Sequence, residues 1–326
     1  MAAPHADRAG TVPGHIDVHQ HYFPDFYVAA LHRAGRAASG GAPLPDWSEA
    51  DCLSMLDRRG IETAVLSLAP PGVQLGDPAG SAELAARCND YLAELCARHP
   101  GRLGGFGALP LPDVPASLAE IARVYDDLGL DGVGLLTNVA GRYLGDPEFE
   151  PVFAELGRRE AVVYLHPVEP VVDPAPSLGL PGWFAEFPFD TTRTLTDLIL
   201  RGTLERHDGL RLIVAHAGGA APFIVNRINN VWRELPGAAQ RAPAGVTAYL
   251  RRLYYDTASC GAGYGLRLVR DLAGVEQIVL GSDYPFVPEH AVTALADRLA
   301  DPLFLGTGAA TLRDNALRLL PRLAKR

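Results

Sequence analysis

Eight short apolar runs, each followed by a stretch of helical period, constrain this chain more than any other feature. Strands are expected near Gly14–His19, Thr63–Ser67, Leu103–Ala108, Gly132–Leu136, Ala161–His166, Arg211–His216, Leu253–Thr257 and Gln277–Gly281. Amphipathic helices are expected over Glu49–Arg59, Ser81–His99, Pro115–Leu128, Glu148–Arg159, Thr191–His207, Pro222–Arg233, Tyr264–Leu272 and Gly308–Leu319. Strand–helix alternation kept over a whole chain implies parallel strands joined by helical crossovers. Eight such units in 326 residues suit an α/β fold of the (β/α)8 TIM-barrel type. A doubly wound sheet is the rival, but no Gly-x-Gly-x-x-Gly follows the first strand. Irregular segments rich in Pro, Gly and aromatic residues follow strand 1 (Pro13–Trp47) and strand 5 (Val168–Phe189). Loops after strands form the working face of a barrel, so these two segments are expected to wall an active site.

Residues 1–13 are small and polar and read as a disordered N-terminal tail; residues 14–326 read as one domain, with no repeat, charge block or linker. The chain is 48% hydrophobic and 21% charged, which is a globular composition. A net charge of −9 argues against a nucleic-acid partner, and it means that an anionic substrate needs a local cation. No apolar run approaches the roughly 20 residues of a membrane span, and the first residues lack a secretory apolar segment. The four cysteines, Cys52, Cys88, Cys96 and Cys260, form no Cys-x-x-Cys pair, so a reduced, cytoplasmic protein is expected.

Five polar residues close apolar runs far apart in the chain. His19 and His21 end Ile16-Asp17-Val18-His19-Gln20-His21, and two residues apart on a strand point the same way. His166 ends Val162-Val163-Tyr164-Leu165, His216 ends Leu212-Ile213-Val214-Ala215, and Asp283 follows Ile278-Val279-Leu280-Gly281-Ser282. In a closed barrel these ends converge on one mouth, where imidazoles and a carboxylate suit a divalent metal. A buried unpaired carboxylate is costly, and a cation removes that cost. His5, His15, His32, His99 and His207 read as solvated or capping residues, and His290 is unplaced.

Four stretches carry a family resemblance: Ile16-Asp17-Val18-His19-Gln20-His21-Tyr22-Phe23-Pro24, Tyr164-Leu165-His166-Pro167, Ala215-His216-Ala217-Gly218-Gly219-Ala220-Ala221-Pro222-Phe223 and Gly281-Ser282-Asp283-Tyr284-Pro285-Phe286. With these motifs the chain resembles the metal-dependent decarboxylase branch of the amidohydrolase superfamily. It is similar to carboxymuconate-semialdehyde decarboxylases, and most of all to the 6-methylsalicylate type. The resemblance implies an amidohydrolase-like barrel in which His19, His21, His166 and Asp283 bind one divalent metal, zinc with manganese as the alternative. It implies that His216 is an acid–base residue beside that metal, and that Trp183 and Phe286 line the substrate pocket. It also implies a homodimer in which Arg227, eleven residues after His216, reaches the partner's site. One departure is the short segment Arg36–Trp47, where the carboxymuconate enzymes carry a longer insertion with a further substrate-binding arginine.

The expected reaction is non-oxidative decarboxylation of a small aromatic ortho-hydroxy acid or a muconate-like acid. Protonating the carboxyl-bearing ring carbon gives an intermediate that loses carbon dioxide, with His216 or Asp283 as the proton donor. Hydrolysis of an amide, lactone or C–C bond on the same scaffold is the alternative. The Gly218-Gly219 turn is expected either to present free N–H groups to a carboxylate or simply to supply glycine's backbone freedom.

Overall fold

In the computed structural model, which describes residues 14–170, 179–259, 263–292 and 309–325, eight strands run parallel. They are β1 (His15–His21), β2 (Ile61–Ser67), β3 (Leu103–Ala108), β4 (Gly132–Leu136), β5 (Val162–His166), β6 (Arg211–Val214), β7 (Tyr254–Asp256) and β8 (Ile278–Val279). They are hydrogen-bonded in chain order. The seam between β8 and β1 is bridged at Asp17–Leu280 and Gln20–Tyr284. There the Val18 N–H donates to the Leu280 carbonyl at 2.9 Å and the His21 N–H to the Tyr284 carbonyl at 2.8 Å. The sheet therefore closes on itself as the TIM barrel expected.

The helices are α1 (Asp25–Arg33), α2 (Glu49–Arg59), α3 (Pro78–Arg98), α4 (Val114–Ala122), α5 (Glu150–Arg158), α6 (Gly182–Leu200), α7 (Ala221–Val231), α8 (Val246–Arg252), α9 (Tyr264–Ala273) and α10 (Ala309–Leu319), leaving single turns unlabelled. Local chemistry sets their ends. Ser48 caps α2 by accepting the Asp51 N–H at 3.0 Å, and Gly60 ends it in the left-handed region at φ 66°. Apolar side chains such as Leu84, Leu92, Leu156, Leu198 and Leu250 fill the layer between strands and helices. A separate interior cluster contains Val18, Val65, Phe106, Tyr164, Ile213 and Val279, joined by Leu319, Leu320 and Leu323 from the C-terminal end of the chain. Leu323 lies against Gly104 at the start of β3 and Arg313 against Gly14, so this end plugs the N-terminal opening of the barrel. The other opening is left for the site.

The helix expected over Thr191–His207 is a correction. It begins at Gly182 and ends at Leu200, and a separate turn, Thr203–Arg206, follows Gly202 at φ 81°. Pro188 made this segment read as irregular, because proline removes a helical N–H and crowds the preceding turn. The helix runs through it while burying Phe187, Leu195 and Leu198. The expected tail (residues 1–13), part of the strand-5 loop (residues 171–178), Cys260 and Gly308 lie outside the described residues.

Candidate active site

Strict alternation along β1 would place Val18 and His19 on opposite faces of the sheet. Instead the pairing of β1 with β2 shifts register between Asp17 and Gln20. Ile16 and Val18 belong to the interior cluster, and the His19 ring still lies 5.2 Å from the interior ring of Tyr164. Such irregularities re-aim side chains next to active sites. The fully buried Asp17 carboxylate secures this one, accepting the His19 N–H at 3.1 Å, the Gln20 amide at 2.7 Å and the Ser282 N–H at 3.0 Å. Burial raises the Asp17 pKa to about 6, against the lowering effect of those hydrogen bonds.

His19, His21, His166 and Asp283 converge, each offering one donor atom within 4.8 Å of the others. Their tautomers follow from their partners. Nδ1 of His19 faces the Asp256 carboxylate at 2.7 Å, Nδ1 of His21 faces the Ser67 carbonyl at 3.3 Å, and Nδ1 of His166 faces the Pro167 carbonyl at 2.7 Å. None of these oxygens can donate, so each Nδ1 carries a proton, and each imidazole in its neutral form turns an Nε2 lone pair inward. The Nε2 atoms of His19 and His21 are 3.2 Å apart, and Oδ1 of Asp283 is 3.3 Å from both. Lone pairs and a carboxylate oxygen facing one another without a proton between them fit a cation. A proton on Nε2 is the competing cation for that position. Burial opposes a charge on His19, but the Asp256 and Asp283 carboxylates outweigh it and lift its pKa to about 10. Burial and the neighbouring imidazoles push His166 well below its ordinary value. Burial also opposes ionisation of Asp283, yet His19 and the hydrogen bonds from His19, His21 and His216 hold its pKa well below the usual range.

Asp256, at the end of β7, organises the site from behind. Its Oδ2 takes His19 Nδ1 and, at 3.3 Å, the Tyr164 hydroxyl. Its Oδ1 accepts the backbone N–H of His216 at 2.8 Å and of Ala258 at 3.0 Å. One buried carboxylate thus aims an inward-facing imidazole and anchors His216, whose backbone sits at φ 56°. Tying ligand orientation to a buried carboxylate is the usual second layer of a metal site. Sequence reasoning missed Asp256, although it closes the apolar run Leu253-Tyr254-Tyr255 just as the other five residues close theirs.

His216 stands beside the cluster rather than in it. Its Nε2 is 3.3 Å from Oδ2 of Asp283, the oxygen turned away from His19 and His21, and the Ser259 hydroxyl donates to the same oxygen at 3.2 Å. Above these groups opens a cavity of about 620 Å³ whose lining includes His166, His216 and Asp283. Trp183, Phe187 and Phe286 line it as well, so the two aromatic residues expected there are in place and Phe187 is added. The Phe286 ring is 5.6 Å from that of His21, and the Phe187 ring 6.1 Å from that of His166.

Two further features lie just beyond His216, in the glycine turn and in α7. The Gly218 and Gly219 N–H groups donate to the Ala215 and His216 carbonyls, at 3.1 and 3.0 Å, and so are not open to a carboxylate. Glycine is required at 219 for space, since a Cβ there would lie 2.2 Å from the Pro188 carbonyl oxygen. Arg227 is exposed on α7 and does not line the cavity of its own chain.

A closed parallel barrel with four convergent side chains able to hold a metal at its C-terminal mouth defines a class, and the sequence agrees: residues 16–322 match the amidohydrolase family model, so the chain belongs to the amidohydrolase family. It is 33% identical to a 6-methylsalicylic acid decarboxylase of Aspergillus aculeatus, over 95% of this chain and 97% of that one. It is likewise 33% identical to a gamma-resorcylate decarboxylase of Rhodococcus jostii, over 80% and 85% of the two chains. The crystal structure of a 2,6-dihydroxybenzoate decarboxylase complexed with 2,6-dihydroxybenzoate superposes with a TM-score of 0.76 at 26% identity, covering 95% of this chain and 99% of that one.

Proposed function

We propose that this chain is a metal-dependent, non-oxidative decarboxylase, a carbon–carbon lyase, acting on a small aromatic ortho-hydroxybenzoate-like acid. The observation that carries this reading is the convergence of three imidazole lone pairs and one carboxylate oxygen on the floor of an aromatic-walled cavity that also holds His216. Planar walls from Trp183, Phe187 and Phe286 favour an aromatic ring over an open-chain muconate. The relatives are named decarboxylases, which weighs against hydrolysis on the same scaffold.

His19, His21, His166 and Asp283 would hold one divalent ion. Three nitrogens and one oxygen suit zinc, and manganese accepts the same mixed set. When bound, the ion supplies Lewis-acid charge neutralisation for the carboxylate and phenol oxygens. The chain's own groups handle the proton. It is held between His216 Nε2 and Asp283 Oδ2, with the Ser259 hydroxyl fixing the carboxylate oxygen. Delivered to the carboxyl-bearing ring carbon, it forms a C–H bond. The C–C bond to the carboxylate then breaks, its electron pair restores the ring, and carbon dioxide leaves.

The proposal includes a homodimer with Arg227 acting in trans. Phe223 and Val231 flank Arg227 one turn away on the same face of α7, and they are 76% and 56% exposed. Helix α9 packs beside α7 and exposes Tyr264 at 83%. Exposed apolar side chains flanking a cation fit a second copy of the chain better than water. Residues 14–326 act as one catalytic domain in this reading. A cytoplasmic setting agrees with the buried thiols of Cys52 and Cys88, which form no disulfide. Among the described residues no helix is long and apolar enough to cross a membrane.

The test is a metal-loaded assay on a panel of ortho-hydroxybenzoates. Release of carbon dioxide with formation of the corresponding phenol is the expected result. Products that have gained water, or no turnover across the panel, would overturn it.

A further inference from the structure

A second cavity, about 550 Å³, lies on the β2–β4 side of the barrel mouth and shares the lining residue His166 with the catalytic cavity. Its inner wall touches the metal-ligand cluster at two more points. Ser67 contacts His21 through its carbonyl at 3.3 Å, and the Tyr164 ring lies 5.2 Å from that of His19. Outward from there the walls are apolar, with Leu109, Leu135 and Val139 among them, until the exposed rim formed by Arg36 and Glu169. The amides inside are already used: Gln74 donates to the Leu111 carbonyl, and Asn138 donates to the Glu169 carbonyl at 3.2 Å and to Asp190 at 3.0 Å. The slot therefore presents mainly apolar surface to an occupant.

Gly134 adds an independent sign. Of the glycines in β3 and β4, four are held small by their neighbours. A Cβ would lie 2.7 Å from Asp131 at Gly104, 2.7 Å from Leu92 at Gly105, 2.6 Å from Val124 at Gly107 and 2.4 Å from the Val162 carbonyl at Gly132. Gly134 has no such reason. A Cβ there would meet Ser67 at 3.8 Å and Phe106 at 3.9 Å, ordinary contacts, and its backbone is outside the left-handed region. Glycine weakens a strand interior, and it is found there where a ligand approaches closely. Gly134 lines this slot.

We propose that the slot receives an extended apolar substituent, a linear alkyl chain, carried on the substrate ring beside the carboxyl group. The inference rests on the decarboxylase reading and narrows its substrate class to alkylated ortho-hydroxybenzoates. A ring whose carboxylate sits at the ligand cluster directs its neighbouring substituent past His166, and the apolar walls remove that chain from water.

The test is a series of salicylates bearing hydrogen, methyl, propyl, pentyl or heptyl beside the carboxyl group, assayed for carbon dioxide release with the metal-loaded protein. The kcat/KM should rise about threefold to fourfold for each buried methylene until the slot is filled. Gly134→Leu should abolish that rise while leaving the hydrogen and methyl acids within about twofold of the unmodified protein. Gly134→Ala, a smaller filling, should shorten the favoured chain and serves if the leucine variant does not fold. Calorimetric affinities of the matching alkylphenols read the slot without turnover, and should show the same chain-length dependence. A flat or falling series in both measurements would overturn the inference while leaving decarboxylation of the short acids intact. Equal loss on all acids in Gly134→Leu would make the slot an entry route and overturn it too. Turnover of no acid, alongside chain-length-dependent binding, would strike the decarboxylase reading instead.

Discussion

Replacing Asp256 by asparagine should cost metal affinity and leave the fold standing. The carboxylate is fully buried and divides its two oxygens between different tasks. Oδ1 accepts two backbone N–H groups, those of His216 and Ala258, at 2.8 and 3.0 Å. An asparagine must keep its carbonyl oxygen there, because turning its NH2 toward two donors would leave all of them unpaired. The NH2 then faces His19 Nδ1, in place of an oxygen now 2.7 Å away. Nδ1 must become the acceptor, so the imidazole proton moves to Nε2, the atom 3.2 Å from His21 Nε2 and 3.3 Å from Asp283 Oδ1. The variant loses an inward lone pair without losing any atom. Changes in such supporting carboxylates cost about 10- to 100-fold in metal affinity, or about 1.4–2.7 kcal/mol. Asp256→Ala differs in kind. It strands two buried N–H groups at about 1–3 kcal/mol each and should lower the melting temperature markedly. Competition for zinc against a chromogenic chelator, with thermal melts of both variants, separates the two effects. Metal affinity within twofold of the unmodified protein in Asp256→Asn, or a melting loss equal to that of the alanine variant, would refute the tautomer argument.

His216→Ala should keep the metal content, since His216 lies outside the four-residue cluster, and should slow the chemical step by about 10²-fold or more; parallel loss of metal and activity would make it a ligand. Arg227→Ala should raise KM about 10- to 100-fold, the worth of a charge-assisted hydrogen bond to a carboxylate, in a protein that sediments as a dimer; an active monomer with unchanged KM would refute both claims. Hydrogen bonds from Arg158 and Arg159 hold Glu155 at about 2, below its ordinary value of 4.5. A depressed carboxylate stabilises the fold above its unfolded pKa and loses that contribution as pH falls through the folded one. The small difference in melting temperature between Glu155→Gln and the unmodified protein should therefore be present at neutral pH, shrink with salt, and close between about 4.5 and 2. A difference independent of pH would contradict that assignment.

How much of this was legible in the chain depends on whether local pattern or long-range contact sets each feature. Buried parallel strands read as near-continuous apolar runs, so all eight were visible, with ends shifted by a few residues; β8 covers Ile278–Val279 where Gln277–Gly281 was expected. Helix α6 was legible only from Thr191 onward. Its first turns, around Pro181 and Pro188, are held by packing of Phe187 rather than by helical propensity. The side chains that close apolar runs were visible for the same reason as the strands, and His19, His21, His166 and Asp283 do converge.

What the pattern did not contain is the backbone that aims those side chains. His216 and Asp283 adopt φ of 56° and 64°, a region that residues with a side chain seldom enter. Nothing local to Ala215-His216-Ala217 or Ser282-Asp283-Tyr284 favours it. Part of the cause is distant. Oδ1 of Asp256 holds the His216 N–H from 40 residues away, and the His19 carbonyl accepts the Asp283 N–H at 2.9 Å across the barrel seam. Asp17 acts likewise, joining the register shift in β1 to Ser282 over 265 positions. Strained positions persist where surrounding contacts over-determine them, and they gather at functional sites. A strand-end histidine can therefore be found by reading along the chain, whereas its aim is fixed by a buried carboxylate on another strand. Asp17 and Asp256 look, in one dimension, like ordinary acidic residues beside apolar runs. Their role becomes visible only once the barrel has closed and each is surrounded by the N–H groups it orders.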